Sequence, residues 1–115
     1  MSLKIFYLDD EPQLLEIFVD TFQDPQTHIT TFQDPKDLFK ALEASRPDIV
    51  FLDFRLPNIT GVEIAKKLDP SLPKALVTGD LTVAHDNLFI AHFEKPMDPE
   101  AVLKLFQDLR TKAAA

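Results

Sequence analysis

The stretch 48–54 (DIVFLDF) constrains the fold more than any other part of the chain. Ile49-Val50-Phe51-Leu52 is apolar without alternation, so in extended form it presents apolar side chains to both faces. Such a strand needs cover on both sides, as a central strand of a parallel sheet between helical layers has. A carboxylate, Asp53, follows at once. The rest of the chain repeats the same unit of strand, polar strand end and helix. Residues 3–8 (LKIFYL) predict a strand that stops at Asp9-Asp10-Glu11-Pro12, with Pro12 suited to the first turn of a helix. Leu14, Leu15, Phe18, Val19 and Phe22 then recur at helical spacing, and Asp24-Pro25 ends that helix. Residues 28–32 predict a short edge strand.

Asp34-Pro35 predicts an N-cap and first turn, with Asp37 at the positive end of the helix and Leu38, Ala41 and Leu42 facing inward. A turn at Leu56-Pro57-Asn58 leads to a helix with Val62, Ala65 and Leu68 on its buried side. Residues 75–77 predict a strand ending at Thr78-Gly79-Asp80, and 89–93 one ending at Glu94-Lys95-Pro96. Asp98-Pro99-Glu100 opens a last helix with Val102, Leu103, Phe106 and Leu109 inward. The stretch 81–88 fits no element well, so the helix between the fourth and fifth strands is expected to be short or irregular. Alternation of this kind implies one doubly wound α/β domain, a parallel sheet with helices on both faces. The pentapeptide TFQDP occurs at 21–25 and again at 31–35. It is not a structural repeat, because one copy ends a helix and the other ends a strand.

Composition excludes several classes of function. At 115 residues, one core removes roughly 65% of the unfolded surface from water. With 45% hydrophobic and 27% charged residues, the chain is neither disordered nor membrane-embedded. Without cysteine, disulfide scaffolds and Cys-ligated zinc are ruled out. Twelve basic against nineteen acidic residues give a net charge of −7, which argues against direct binding to nucleic acid. No apolar run is long enough to span a membrane, and the start lacks a signal-peptide core, so a cytoplasmic location is expected.

Ligands of open α/β sheets bind beyond the carboxyl ends of the strands. The first strand brings Asp9 and Asp10 there, the third Asp53, the fourth Thr78 and the fifth Lys95. Crowded carboxylates repel unless one protonates or a cation joins them. A hard divalent ion with oxygen ligands, such as Mg²⁺, answers that need. Each residue also has a plainer explanation: Asp9-Asp10-Glu11 as a helix-entry cluster, Lys95 as a solvated turn lysine, Thr78 as an ordinary strand end. Asp53, at the end of an apolar strand, is harder to account for in that way.

Taken in order, Asp9-Asp10, Asp53-Phe54-Arg55-Leu56-Pro57 with Gly61, Thr78 and Lys95-Pro96 resemble the receiver domains of two-component response regulators, the CheY-like family. The resemblance covers nearly the whole chain, residues 1–112, with 113–115 as a frayed tail. It implies a five-stranded parallel sheet in the order 2-1-3-4-5 and a cis Lys95-Pro96 bond. It also implies that Asp53 accepts a phosphoryl group from a phosphohistidine on a histidine kinase or phosphotransfer protein. Asp10, Asp53 and the backbone carbonyl of Arg55 would hold Mg²⁺, and Asp9 would bind it through water. Lys95 and Thr78 would contact the phosphoryl oxygens. The protein would then act as a phosphoacceptor that catalyses its own transfer and slow dephosphorylation, rather than as an enzyme with a separate substrate.

Two features depart from the family pattern. His92 stands three residues before Lys95, where an aromatic switch residue is usual, so His92 is the expected partner of Thr78 in switching. The interval from Thr78 to Lys95 is short, which points to a monomer or weak dimer. Two other readings stand beside it: a pseudo-receiver that keeps the fold and binds partners without phosphate, and an aspartate-nucleophile phosphohydrolase. Against the second, Arg55 stands where such enzymes carry an acid, and the chain is too short for a cap domain. Gly61 and Gly79 lie beside the rim, Gly79 either admitting a phosphoryl group to its N–H or forming a turn with positive φ.

Overall fold

The computed structural model of the chain describes residues 2–79 and 88–114. Within them strands and helices alternate: β1 (Leu3–Leu8), α1 (Pro12–Phe22), β2 (Thr27–Phe32), α2 (Pro35–Ala44), β3 (Ile49–Asp53), α3 (Gly61–Lys67), β4 (Lys74–Thr78), β5 (Ala91–Glu94) and α4 (Pro99–Ala114). The five strands form one sheet in the order β2-β1-β3-β4-β5. Every neighbouring pair is parallel, with Ile5 opposite Ile49, Phe51 opposite Ala75 and Val77 opposite Phe93. The expected doubly wound fold is thus the observed one, with β2 at an edge and β3 at the centre. The helix expected within 81–88 falls almost wholly outside the described residues.

All five residues of β3 are buried, as its unbroken apolar run requires. Alternate side chains feed two cores. Leu3, Ile5, Tyr7, Phe51, Ala75, Val77 and Phe93 meet α1 through Leu15, Phe18 and Phe22, and α4 through Val102 and Phe106. Phe6, Leu8, Val50, Leu52 and Leu76 meet α2 through Leu38 and α3 through Ile64 and Ala65. Phe51 joins the first core together, stacking on Phe93 at 5.7 Å and meeting Phe106 edge-on at 6.2 Å.

Four Asp-Pro pairs punctuate the chain in one way. Asp24, Asp34, Asp69 and Asp98 each accept the backbone N–H two residues on, at 2.7, 2.8, 2.9 and 3.0 Å. Proline fixes φ and the short carboxylate closes the turn, so the chain changes direction at each pair. After Asp34 and Asp98 a helix follows. After Asp24 the bonded partner is instead Thr27, and β2 begins. The two TFQDP copies therefore share a turn and nothing beyond it.

Three details differ from expectation. Leu103 is exposed, while Leu105 packs on the core with Leu109. The inward stripe runs 102, 105, 106, 109, and Leu103 lies about 100° round the helix from Val102. Ile64 is the deep residue of α3, while Val62 is only partly buried. Finally, β5 starts at Ala91 instead of residue 89: Phe89 is buried beside the α2–α3 core ahead of the strand, and Ile90 N–H donates to the Lys74 carbonyl.

Candidate functional site

The carboxyl ends of β1, β3, β4 and β5 meet at one rim. Asp53 closes β3 and lies opposite Val77, so Thr78 stands one step further out on the neighbouring strand. The Lys95 N–H donates to the Thr78 carbonyl at 3.0 Å, which anchors the turn after β5 to the end of β4. The Lys95-Pro96 peptide is cis, as the resemblance implied.

Lys95 Nζ lies 3.0 Å from Asp53 Oδ1 and 3.2 Å from Asp9 Oδ2. Asp9 is fully buried, and its other oxygen accepts the Glu11 N–H at 2.9 Å. The hydroxyl of Tyr7, also fully buried, donates to Asp9 Oδ2 at 2.8 Å. Asp10, one residue further, is exposed at the mouth. Carboxylate oxygens of Asp9, Asp10 and Asp53 lie within 4.8 Å of one another. The expected site residues Asp9, Asp10, Asp53 and Lys95 are therefore brought together, with Thr78 buried beside them.

The electrostatics follow from that crowding. Burial pushes the Asp53 carboxyl up from 3.8 to about 6; Asp9 and Asp10 add to the rise, and the hydrogen bond and charge of Lys95 oppose it. For Lys95 the largest influence is burial, which disfavours the ammonium. The hydrogen bond to Asp53 and the charges of Asp9 and Asp53 outweigh it, and the net shift is upward. Burial first, and then the Asp9 carboxylate, hold the Tyr7 hydroxyl far above its usual value, so it stays a protonated donor. The cluster thus holds three carboxylates and one ammonium, which pairs with two of them, so it carries more negative charge than its own cation balances. A hard, oxygen-seeking divalent cation fits that donor set.

Backbone explains the rest of the motif. Arg55 pairs with Thr60 across the loop after β3, and the bond formed there runs from Gly61 N–H to the Phe54 carbonyl at 2.9 Å. The Arg55 side chain is exposed. A Cβ on Gly61 would collide with the Asp53 carbonyl oxygen, so only glycine lets α3 start this close to β3. At Gly79 the positive-φ turn is not found, since neither glycine has positive φ, and a Cβ there would meet nothing within 4 Å. His92 is exposed on the edge strand and packs edge-on to Phe89, with ring centroids 5.9 Å apart.

Sequence reasoning took Tyr7 for one more strand hydrophobe. The spacing carries the signal: Asp9 follows β1 directly and stands two residues after Tyr7, so chain that stays extended puts both on one face, and a phenol is long enough to reach along it.

The fold and the acidic rim together define a receiver domain of two-component response regulators. A profile of the response regulator receiver domain matches residues 5–107, and the chain belongs to that family. An uncharacterised response regulatory protein of Vibrio vulnificus is 31% identical over 124 residues, covering 98% of this chain and 49% of its own length. The chain spans about half the length, or less, of the curated relatives it matches. A CheY-like receiver domain of Methylobacillus flagellatus superposes with a TM-score of 0.84 at 19% identity, covering 95% of this chain and 99% of that one. The Thermotoga maritima response regulator TrrA, solved with Mg²⁺ and BeF, gives 0.82 at 22% identity, with coverage of 95% and 99%. Among the described residues no helix is long and apolar enough to cross a membrane.

Proposed function

We propose that this receiver domain accepts a phosphoryl group on Asp53 from a phosphohistidine of a histidine kinase or phosphotransfer protein, in the presence of Mg²⁺. The observation that carries the reading is the Asp53 carboxylate, buried at a strand end, 3.0 Å from the Lys95 ammonium and within 4.8 Å of two further carboxylates. An Asp53 oxygen attacks phosphorus in line with the leaving imidazole. The P–N bond breaks, its electron pair stays on the imidazole nitrogen, and an acyl phosphate forms.

Asp10, Asp53 and the Arg55 backbone carbonyl are the groups that would hold the cation, with Asp9 reaching it through water. When bound, Mg²⁺ would neutralise carboxylate charge and draw the phosphoryl oxygens into place. The chain's own residues supply the rest. Lys95 follows the transferred group as its second positive partner, and Thr78 donates a hydroxyl hydrogen bond to it, so the contribution is positioning and charge neutralisation. Movement of Thr78 toward Asp53, with His92 following, would carry the signal to a downstream effector.

Intact mass after incubation with Mg²⁺ and a small phosphodonor tests the reading. One added phosphoryl group is expected on the wild type and none on Asp53→Asn. An unlabelled wild type that also fails to bind Mg²⁺ near Asp10 and Asp53 would instead mark a receiver-fold module that signals without phosphate.

A further inference from the structure

Tyr7 is the chain's one tyrosine, and the chain has no tryptophan. Its ring is locked in the core, edge-on to Phe18 at 4.8 Å and tilted to Phe51 at 6.1 Å. That packing fixes where the hydroxyl points, and it points at Asp9 Oδ2, 2.8 Å away. The same oxygen is the one paired with Lys95 at 3.2 Å. Asp9 Oδ1 is held separately by the Glu11 N–H. Asp9 is therefore gripped by two neutral donors, and Lys95 is an additional partner that its buried carboxylate can release without being left bare.

We infer that Tyr7 is a positioning residue that holds Asp9 in place while Lys95 shifts from the carboxylates to the phosphoryl group arriving on Asp53. The inference rests on the phosphoacceptor reading and deepens it. Without the hydroxyl, Asp9 Oδ2 would keep Lys95 as its donor, and the Asp9–Lys95 pair would compete with the phosphoryl group for the ammonium. A phenylalanine at this position would fill the core equally well, so packing alone does not account for the hydroxyl.

A double-mutant cycle with a second readout tests this. Tyr7→Phe removes one oxygen and leaves the ring. With acetyl phosphate in saturating Mg²⁺, phosphorylation of Tyr7→Phe should slow about tenfold, the scale for losing an outer hydrogen-bond partner of a site residue. In an Asp9→Ala background the same substitution should change the rate little, because the group it acts through is gone. Equal slowing in both backgrounds, or none in the wild-type background, overturns the inference.

The second readout needs neither metal nor phosphate. A tyrosine hydroxyl bonded to a carboxylate loses ring emission, so metal-free Asp9→Ala should be brighter than wild type; unchanged emission overturns the inference. A labelled wild type with Tyr7→Phe at the wild-type rate places the fault in the role given to Tyr7. An unlabelled wild type with brightened Asp9→Ala places it in the phosphoacceptor reading, and this role for Tyr7 falls with it.

Discussion

Asp53 bears a conflict that its neighbours only partly relieve. Its folded value of about 6 lies above the usual 3.8, so the fold favours the protonated acid. A raised carboxyl stabilises the fold below its ordinary value, and that contribution is lost as pH rises through the folded value. Metal-free wild type should therefore lose stability between about pH 4 and pH 7 relative to Asp53→Asn, by about 1–3 kcal/mol at completion. Urea titrations in chelator at several pH values measure the difference. A variant less stable than wild type at pH 7.5 contradicts the assignment of this cost to Asp53. Excess Mg²⁺ should close most of the gap at pH 7.5 and little of it at pH 4.5, where the acid is protonated. Gly61 poses a steric counterpart. Gly61→Ala drives a methyl group into the Asp53 backbone carbonyl, which has no flexible side-chain end to yield, and should cost about 1–3 kcal/mol. It should weaken Mg²⁺ binding as well, since the residue displaced is a proposed ligand; unaltered affinity would show that β3 absorbs the clash without moving its end.

At the scale of elements, capping offers a controlled comparison within one chain. Asp34 and Asp24 sit in identical TFQDP contexts, and each accepts the N–H two residues on. Only Asp34 is the N-cap of a helix, so its loss also leaves the first turn of α2 with an orphan donor. Asp34→Ala should destabilise by about 1 kcal/mol and Asp24→Ala by less. Equal losses in thermal unfolding would mean that the shared turn, not the cap, carries the energy. These elements were legible because their signals are local: a proline that fixes φ, a carboxylate within reach of a backbone N–H, an apolar run with no alternation. What escaped the reading depends on where elements land against each other. Leu103 and Leu105 are equally apolar, and the pose of α4 alone decides which turns inward. Phe89 extends an apolar run, but its burial ahead of β5 is set by the α2–α3 core. The Asp, Thr and Lys residues of the rim were visible as a set because a parallel sheet delivers every strand end to the same side. The tie from Tyr7 to Asp9 is in the spacing, but a tyrosine inside an apolar strand reads first as packing.

Across the whole molecule, the sheet keeps its acidic rim and its structural end apart. Lys74 opens β4 and is 2% exposed, although a lysine at a strand entrance reads as a solvated residue. Its ammonium donates to the Asp69 and Leu72 carbonyls, both at 2.8 Å, and so ties the loop after α3 to the bottom of the sheet. Burial lowers its pKa, with the Asp69 charge opposing and Arg46 assisting. Lys74→Met keeps the stem and removes the donors, leaving two carbonyls without that partner, and should cost about 1–3 kcal/mol. Thr78, at the other end of the same strand, is roughly 13 Å away at about 3.3 Å per residue. Substitutions more than about 7–10 Å apart with no shared partner usually add to within about 0.5 kcal/mol. Lys74→Met should therefore leave the Mg²⁺ affinity near its wild-type value, and its stability loss should add to the gain from Asp53→Asn. Urea midpoints of the two single variants and the double variant in chelator, with a Mg²⁺ titration of Lys74→Met, decide the matter. Non-additivity well beyond that margin would show that β4 transmits strain along its length, and the two ends would have to be treated as one coupled unit.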